Sequence, residues 1–270
     1  MSNRHYITIK YFCYCIFIFG FSAVLQAQDT PPSQRALITD RPDATEAPSV
    51  VPAGFLQVET GGFYESFNEN NVTFERNVFN TTLLRYGILS NLELRVGWNI
   101  EEQSTTFGNT AIQNKLTGFS PLLLGVKVAI AEEKNGMPEI GLIGHIFLPV
   151  TASADFKPET TGVDFRFAFS HTLSEKENLS YNIGAQWGDD SPETAYIYTI
   201  AYGYAITDKV GFYAELYGDM PEDSSANHFW DVGATYLVKP TIQFDVTIGS
   251  GITKGQDILL SAGLSFRIPS

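Results

Sequence analysis

Residues 92–101 read Leu92-Glu93-Leu94-Arg95-Val96-Gly97-Trp98-Asn99-Ile100-Glu101. Each even position is apolar, and each odd position is polar or glycine. A period of two belongs to a β-strand with two unlike faces, because successive side chains point to opposite sides. The same alternation recurs in short runs from Gly54 to the C-terminus. It predicts strands near 54–65, 73–88, 92–102, 118–131, 139–150, 162–172, 179–188, 194–206, 210–218, 228–238, 241–249 and 257–268. About twelve strands is an even number, as an antiparallel up-and-down barrel requires. Most runs have the roughly 9–11 residues that a tilted strand needs to cross a bilayer.

Alternation alone also suits a soluble β-sandwich or a lipocalin-like barrel, so the contents of each face must decide. Charged residues make up 17% of the chain and aromatics 13%. A soluble domain carries about 25% charge, so a surface that avoids water is expected. Connections alternate between short (89–91, 174–178, 207–209, 239–240) and longer (103–117, 151–161, 219–227). Short periplasmic turns and longer outer loops are the habit of transmembrane barrels. With that orientation Trp98, Trp187 and Trp230 map to the outer rim. Tyr86, Tyr181, Tyr204, Phe212, Tyr236 and Phe266 map to the periplasmic rim. Two aromatic girdles are what the membrane interfaces favour. The fold class expected is therefore all-β, a transmembrane antiparallel barrel with both termini periplasmic.

The N-terminus reads as an export signal over residues 1–27. Arg4 and Lys10 precede the apolar run Tyr11–Leu25, and Ala27 offers a small residue before a cut. Cys13 and Cys15 lie inside that run, so a mature chain would have no thiol for a disulfide, a metal or a nucleophile. Removing residues 1–27 also removes two cations, leaving 17 − 2 = 15 against 30 anions, a net charge near −15. Such acidity argues against nucleic acid, which needs a basic surface. Residues 28–53 form a polar lead rich in Pro, Asp and Thr, and residues 54–270 form the barrel. The expected location is the cell outer membrane.

The last strand, Ser261–Ile268, places Gly263 between polar and hydrophobic positions. It resembles the C-terminal signal by which outer-membrane barrels meet their assembly machinery, although Pro269 and Ser270 follow it. The stretch Ile38–Phe63, "ITDRPDATEAPSVVPAGFLQVETGGF", joins "LLRYGILSNLELRVGW" (83–98) and "LLLGVKVAI" (122–130) in a second resemblance. Together they look like the outer-membrane transporter-like family labelled "Putative MetA-pathway of phenol degradation". The block Asp40-Arg41-Pro42-Asp43-Ala44-Thr45-Glu46 carries most of the likeness. The resemblance implies a barrel and suggests a role in the passage of small solutes, aromatic compounds among them.

Alternation places Glu59, Arg85, Glu93, Arg95, Lys127, His145, Asp164, Arg166, Glu215, Asp231, Asp245 and Arg267 inside the barrel, as lining and selectivity residues. Phe79, Leu83, Leu123, Ile143, Phe147, Ile197 and Leu259 share that face. Twelve strands lie between barrels that fill themselves and those that enclose a water channel, so a narrow or partly plugged pore is expected. The hairpin around 89–91 gives a sharper reading. Keeping Leu84, Tyr86, Leu94 and Val96 on one face puts Arg85 directly opposite Arg95. Like charges directly opposite destabilise a sheet, so an anion should sit between them. Glu59 and Glu93 are candidates. So are Asp40, Asp43 and Glu46, if the lead, with Arg41, Pro42 and Thr45, folds up into the lumen as a plug. Otherwise the lead lies across the periplasmic mouth.

His145 is expected inside beside Glu139, more a bystander than a switch. Glu222, Asp223 and His228 offer a weak divalent-ion set, and a solvated loop is the plainer reading. Ser170 and His171 are the sole local hint of a lipid hydrolase. No zinc helix, nucleophile elbow or phosphate loop occurs, so no enzyme activity, cofactor or metal is expected. The partners expected are outer-membrane lipid, the assembly machinery and a small-molecule solute. The leading function is a passive channel; the alternative is a structural or adhesion barrel. Sequence leaves the oligomeric state open.

Overall fold

The computed structural model describes residues 35–108, 110–112, 114–188, 193–253 and 255–269. The export signal expected at 1–27 lies outside the described residues. Among the described residues the elements are strands joined by turns and two short 3-10 segments, Pro149–Thr151 and Ala154–Phe156. The strands are β1 (Phe55–Glu69), β2 (Val72–Leu89), β3 (Leu92–Phe107), β4 (Thr110–Ala111), β5 (Leu116–Phe119), β6 (Leu122–Ala131) and β7 (Glu139–Leu148). They continue as β8 (Gly162–Thr172), β9 (Glu177–Trp187), β10 (Thr194–Ala205), β11 (Val210–Pro221), β12 (Asn227–Lys239), β13 (Ile242–Gly251) and β14 (Gln256–Pro269).

Apart from β4, β5 and β6, which all pair with β3, each strand pairs antiparallel with its sequence neighbours, and β1 pairs with both β2 and β14, which closes the sheet. Closure leaves no open edge, so backbone N–H and C=O groups find partners without water. The wall has twelve staves rather than fourteen. β5 and β6 follow one another along β3 as a single stave, and β4 is a two-residue extension of the loop beyond β3. Pro121 causes the break between β5 and β6, since proline has no N–H for the ladder. The loop that follows β7 covers the break: Leu122 N donates to Thr151 Oγ1 (2.8 Å) and Phe119 N to Ser153 Oγ (2.9 Å).

Several strands run longer than alternation suggested, β3 most of all, with β1 and β11 next, while β7 and β10 end slightly earlier. The β1–β2 connection is a tight turn in which Asn70 and Asn71 both adopt positive φ (52° and 67°). Asparagine tolerates that region, and the turn matches the twist of the strands it joins. Trp98 consequently stands in the middle of β3, not at its end. Trp187 and Trp230 do lie at strand ends near the longer loops, and the tyrosine and phenylalanine set lies near the short turns.

The polarity is inside out. Leu94, Val126, Ile183, Leu216, Val246 and Leu260 point away from the lumen and are exposed, while Arg85, Glu93, Lys127 and Asn182 are fully buried. An apolar outer wall around a polar interior suits lipid outside the barrel. One expected lumen residue is misplaced by simple alternation. β2 carries an extra residue between Val78 and Asn80, and a bulge flips every later side chain to the other face. Phe79 therefore points outward, 61% exposed, while Val78 and Arg76 turn inward.

Candidate functional site

The register sets Arg85 directly across from Arg95. Their mutual repulsion is met by carboxylates from two sources. From the wall, Glu93 binds Arg85 in a fork (2.8 and 3.0 Å) and Arg95 at 3.1 Å, and Glu59 takes Arg85 at 2.8 Å. From the lead, Asp40 approaches Arg95 at 2.7 Å and Arg85 at 3.1 Å, and Glu46 binds Arg95 at 2.7 Å. Lys127 on β6 completes the cluster by donating to both Asp40 oxygens at 2.8 Å. Both sources foreseen for the anion are used at once. Burial alone would raise the Asp40 carboxyl. The fields of Arg85, Lys127 and Arg95 outweigh it and hold the group well below the usual carboxylate range.

The lead sits among inward-facing side chains as irregular backbone, and buried irregular backbone must borrow its hydrogen bonds. Asp40 N donates to Glu59 (3.0 Å), Ala44 N to Glu215 (2.7 Å), Glu46 N to Asn182 (2.8 Å) and Val51 N to Glu93 (2.8 Å). Carbonyls are served the same way. Gln57 donates to Ile38 O (2.8 Å), Lys127 to Ala47 O (2.7 Å), Asn182 to Glu46 O (2.9 Å) and Arg85 to Ser49 O (3.2 Å). Arg41 reaches the far wall, where its guanidinium meets Asp245 at 2.9 Å and Ser261 at 3.0 Å. The Arg41–Pro42 bond is cis. Thr45 Oγ1 lies within hydrogen-bonding distance of Thr199 (2.7 Å) and of the Glu215 carboxylate.

Two glycines make room for this segment. A Cβ on Gly263 would come within 2.3 Å of the Arg41 guanidinium, and one on Gly141 within 2.5 Å of the Pro48 carbonyl. Opposite the cationic cluster lies a second like-charge pair, Glu215 and Asp231, directly across from each other on β11 and β12 and both buried. Asp43 faces them. Its carboxyl is raised above the usual range by burial first and by Glu215 second.

The remaining expected residues are less concentrated. His145 pairs with Asp164 (2.9 Å) rather than with Glu139, which stands across from Ser170 farther along β7. Arg166 is only half-buried and sits 3.7 Å from Glu46 and 3.6 Å from Asp164. Arg267 is inside, near the turn end, against the Arg35 carbonyl and the Phe55 ring. Ser170 and His171 are consecutive strand residues on opposite faces, so they cannot form a catalytic pair. His228 Nδ1 is engaged by the Tyr198 hydroxyl at 2.7 Å. Among the described residues no group of three acidic, histidine or cysteine side chains is placed to hold a metal. Sequence reasoning missed Gln57, Asn182 and Thr199. All three are uncharged inward positions whose task is to hydrogen-bond the lead.

Two cavities flank the level occupied by the lead. One of about 480 Å³ opens near the short turns, lined by Pro42, Asp43, Thr45, Ala47, Ala201 and Tyr213 among others. Another of about 490 Å³ lies near the longer loops, with Phe67, Phe74 and Phe229 in its wall.

Solved structures share this architecture. An outer-membrane channel from Pseudomonas putida F1 superposes with a TM-score of 0.65 at 14% identity, over 89% of this chain and 100% of that one. The KdgM porin gives 0.52 at 9% identity, over 78% and 98%. The translocator domain of the autotransporter NalP from Neisseria meningitidis gives 0.51 at 8%, over 80% and 89%. At these identities the likeness is one of fold. No curated protein matches the chain by sequence. With its lipid-facing apolar wall, this is an outer-membrane β-barrel. Residues 39–268 match the family described as "Putative MetA-pathway of phenol degradation", and the chain belongs to that family.

Proposed function

We propose that the protein is a passive outer-membrane channel for small, hydrophobic or aromatic solutes, with residues 36–52 as an internal plug that sets the constriction. The observation that carries this reading is how the lead is held. It contributes no strand to the wall, and its contacts inside the barrel are mostly with side chains. A segment attached in this way can shift without opening the barrel. A wall filled only for structural reasons would not need a separate segment reaching both sides of the lumen. The aromatic side chains Phe67, Phe74 and Phe229 in the cavity near the longer loops favour solutes with little charge. Two of the three structures described above that share the fold are a channel and a porin, which agrees with transport. Lumen charge would select by sign and the plug by size.

The export signal, the lipid environment and the contact of β14 with the assembly machinery belong to the same reading. The barrel should be made with a cleaved leader and inserted from its C-terminal strand. Reconstitution into liposomes tests the function directly. Flux of single-ring aromatics should exceed that of sugars of similar mass, and deletion of residues 36–47 should raise both flux and single-channel conductance. Absence of any solute flux would favour a structural barrel instead.

A further inference from the structure

The inward glycines differ in what fills the space above them. On β7 and β14 the lead fills it, since Gly141 faces the Pro48 carbonyl and Gly263 the Arg41 guanidinium. On β10 to β12 the wall covers its own glycines. Asn178 lies over Gly203, Thr235 over Gly211 and the Tyr213 ring over Gly233; an added Cβ would meet those side chains at 2.1, 2.6 and 2.3 Å.

Tyr213 is the largest of these covers. Asn178, Gly203, Tyr213, Gly233 and Thr247 form one row of direct cross-strand partners from β9 to β13. Side chains on a strand usually stand perpendicular to the sheet. Tyr213 instead leans across Gly233, and its hydroxyl meets Thr247 Oγ1 at 2.8 Å, two strands away, with both residues buried. The ring is therefore pinned along the wall at its far end and kept out of the lumen.

The result is a gap on one side of the lead. The cavity of about 480 Å³ near the short turns has Pro42, Asp43 and Thr45 on one side and Ala201, Gly203 and Tyr213 on the other. Toward the longer loops, the next inward positions on β9, β10 and β11 are Asn182, Thr199 and Glu215. They hold the lead through the Glu46 and Ala44 N–H groups and the Thr45 hydroxyl, with no ion pair. Across the lumen Asp40 is clamped by Arg85, Arg95 and Lys127 at 2.7–3.1 Å. Separating a buried ion pair costs more than separating ordinary hydrogen bonds, so the lead yields first on the β9–β12 side.

We infer that solute passes between the lead and the β9–β12 wall, and that Tyr213, laid flat over Gly233, sets the width of that passage. This rests on the channel reading above and adds the path and its width-setting residue. A ring lying along the wall occupies one layer of carbon, about 3.5 Å deep. Displaced from Gly233 or released from Thr247, it stands into the cavity and narrows it.

Single-channel recording of the full barrel in a planar bilayer tests this, with polyethylene glycols of graded size added to one side at a time. Tyr213→Ala should raise the size cut-off from the short-turn side by about 3.5 Å, one carbon layer, and leave the cut-off from the other side unchanged. Gly233→Ala should lower it. That Cβ also meets the Val246 carbonyl at 2.5 Å, so Thr247→Val, which removes the anchor without crowding the wall, is the second narrowing variant. Thiol labelling gives an independent reading, because the sequence has no cysteine after Cys15. Ala201→Cys, on the passage, should lose most of its current when labelled with a methanethiosulfonate. Ile200→Cys, on the outward face and 42% exposed, should lose none. A short-turn cut-off unmoved by Tyr213→Ala, or an Ala201→Cys current that survives complete labelling, would overturn the inference. An unaltered barrel that carries no current defeats the channel reading and the passage with it; a current indifferent to these changes defeats the passage alone.

Discussion

Replacing Asp40 by asparagine keeps the side chain's shape and removes its charge. In the folded barrel that carboxylate touches Arg85, Arg95 and Lys127 at 2.7–3.1 Å. It also accepts from Ala47 N at 3.0 Å. Without it three buried cations face Glu59, Glu93 and the half-buried Glu46. Breaking a buried ion pair from one side costs about 3–5 kcal/mol. Water can enter the lumen once the lead moves and re-solvate the cations, so the low end applies. A loss of about 3 kcal/mol multiplies the undocked fraction roughly 150-fold, at 1.4 kcal/mol per factor of ten. Hydrogen exchange reads this directly. The amides of Ala44, Glu46 and Val51 are bonded to lumen side chains, and their protection should fall by about two orders of magnitude. Amides of β7 to β10 should keep theirs. Single-channel records should show a larger or more often open conductance. If exchange of residues 40–51 and conductance both match the unaltered protein, Asp40 does not anchor the lead and the plug reading fails.

Other consequences follow from the same contacts. Gly141→Ala sets a Cβ against the backbone of Pro48, which has no flexible end to yield. Conductance should increase with little change in barrel thermal stability, measured side by side. Asp43 gives a pH dependence. Its docked carboxyl holds a proton more tightly than a free one, so docking is fully favoured below the free value of about 4 and weakens as pH rises through the docked value. Asp40 shifts the other way, so its contribution stays intact above the free value. Conductance should therefore rise as the pH is taken upward from the free-carboxyl value through the raised docked value, and Asp43→Asn should flatten the rise; an unchanged profile in that variant would refute it. Finally, Phe79→Lys places a charge toward lipid and should reduce folding stability in vesicles by about 2–4 kcal/mol at mid-membrane depth. A lumen-facing Phe79 would tolerate the change.

Periodicity made the wall legible, because a period of two is written into every stave. It even placed Arg85 against Arg95, since parity fixes a hairpin register once one face is known. Phe79 was beyond it. A single inserted residue leaves no mark in composition, yet it reverses the faces beyond it. The lead posed a different difficulty. Its acidic residues matched the charge that the arginines lacked, which is why Asp40 and Glu46 could be suggested. Its uncharged anchors, Asn182 and Thr199, carry no signal in an alternating strand. Their role exists only where β9 and β10 meet a segment more than a hundred residues away in sequence.

That separation bears on how the molecule is built. The lead's partners lie on β1, β2, β3, β6, β8, β9, β10, β11, β13 and β14, and the Arg41–Asp245 contact spans 204 positions. A berth drawn from so many staves does not exist until β14 has met β1. Loop-closure entropy is spent on the wall before any of these contacts can form. Docking is then a final event that reports completion: a barrel missing or misregistering one hairpin would lack part of the berth and leave the lead loose. On the plug reading, the segment proposed to narrow the finished pore would also serve as a built-in check that the circle has closed correctly.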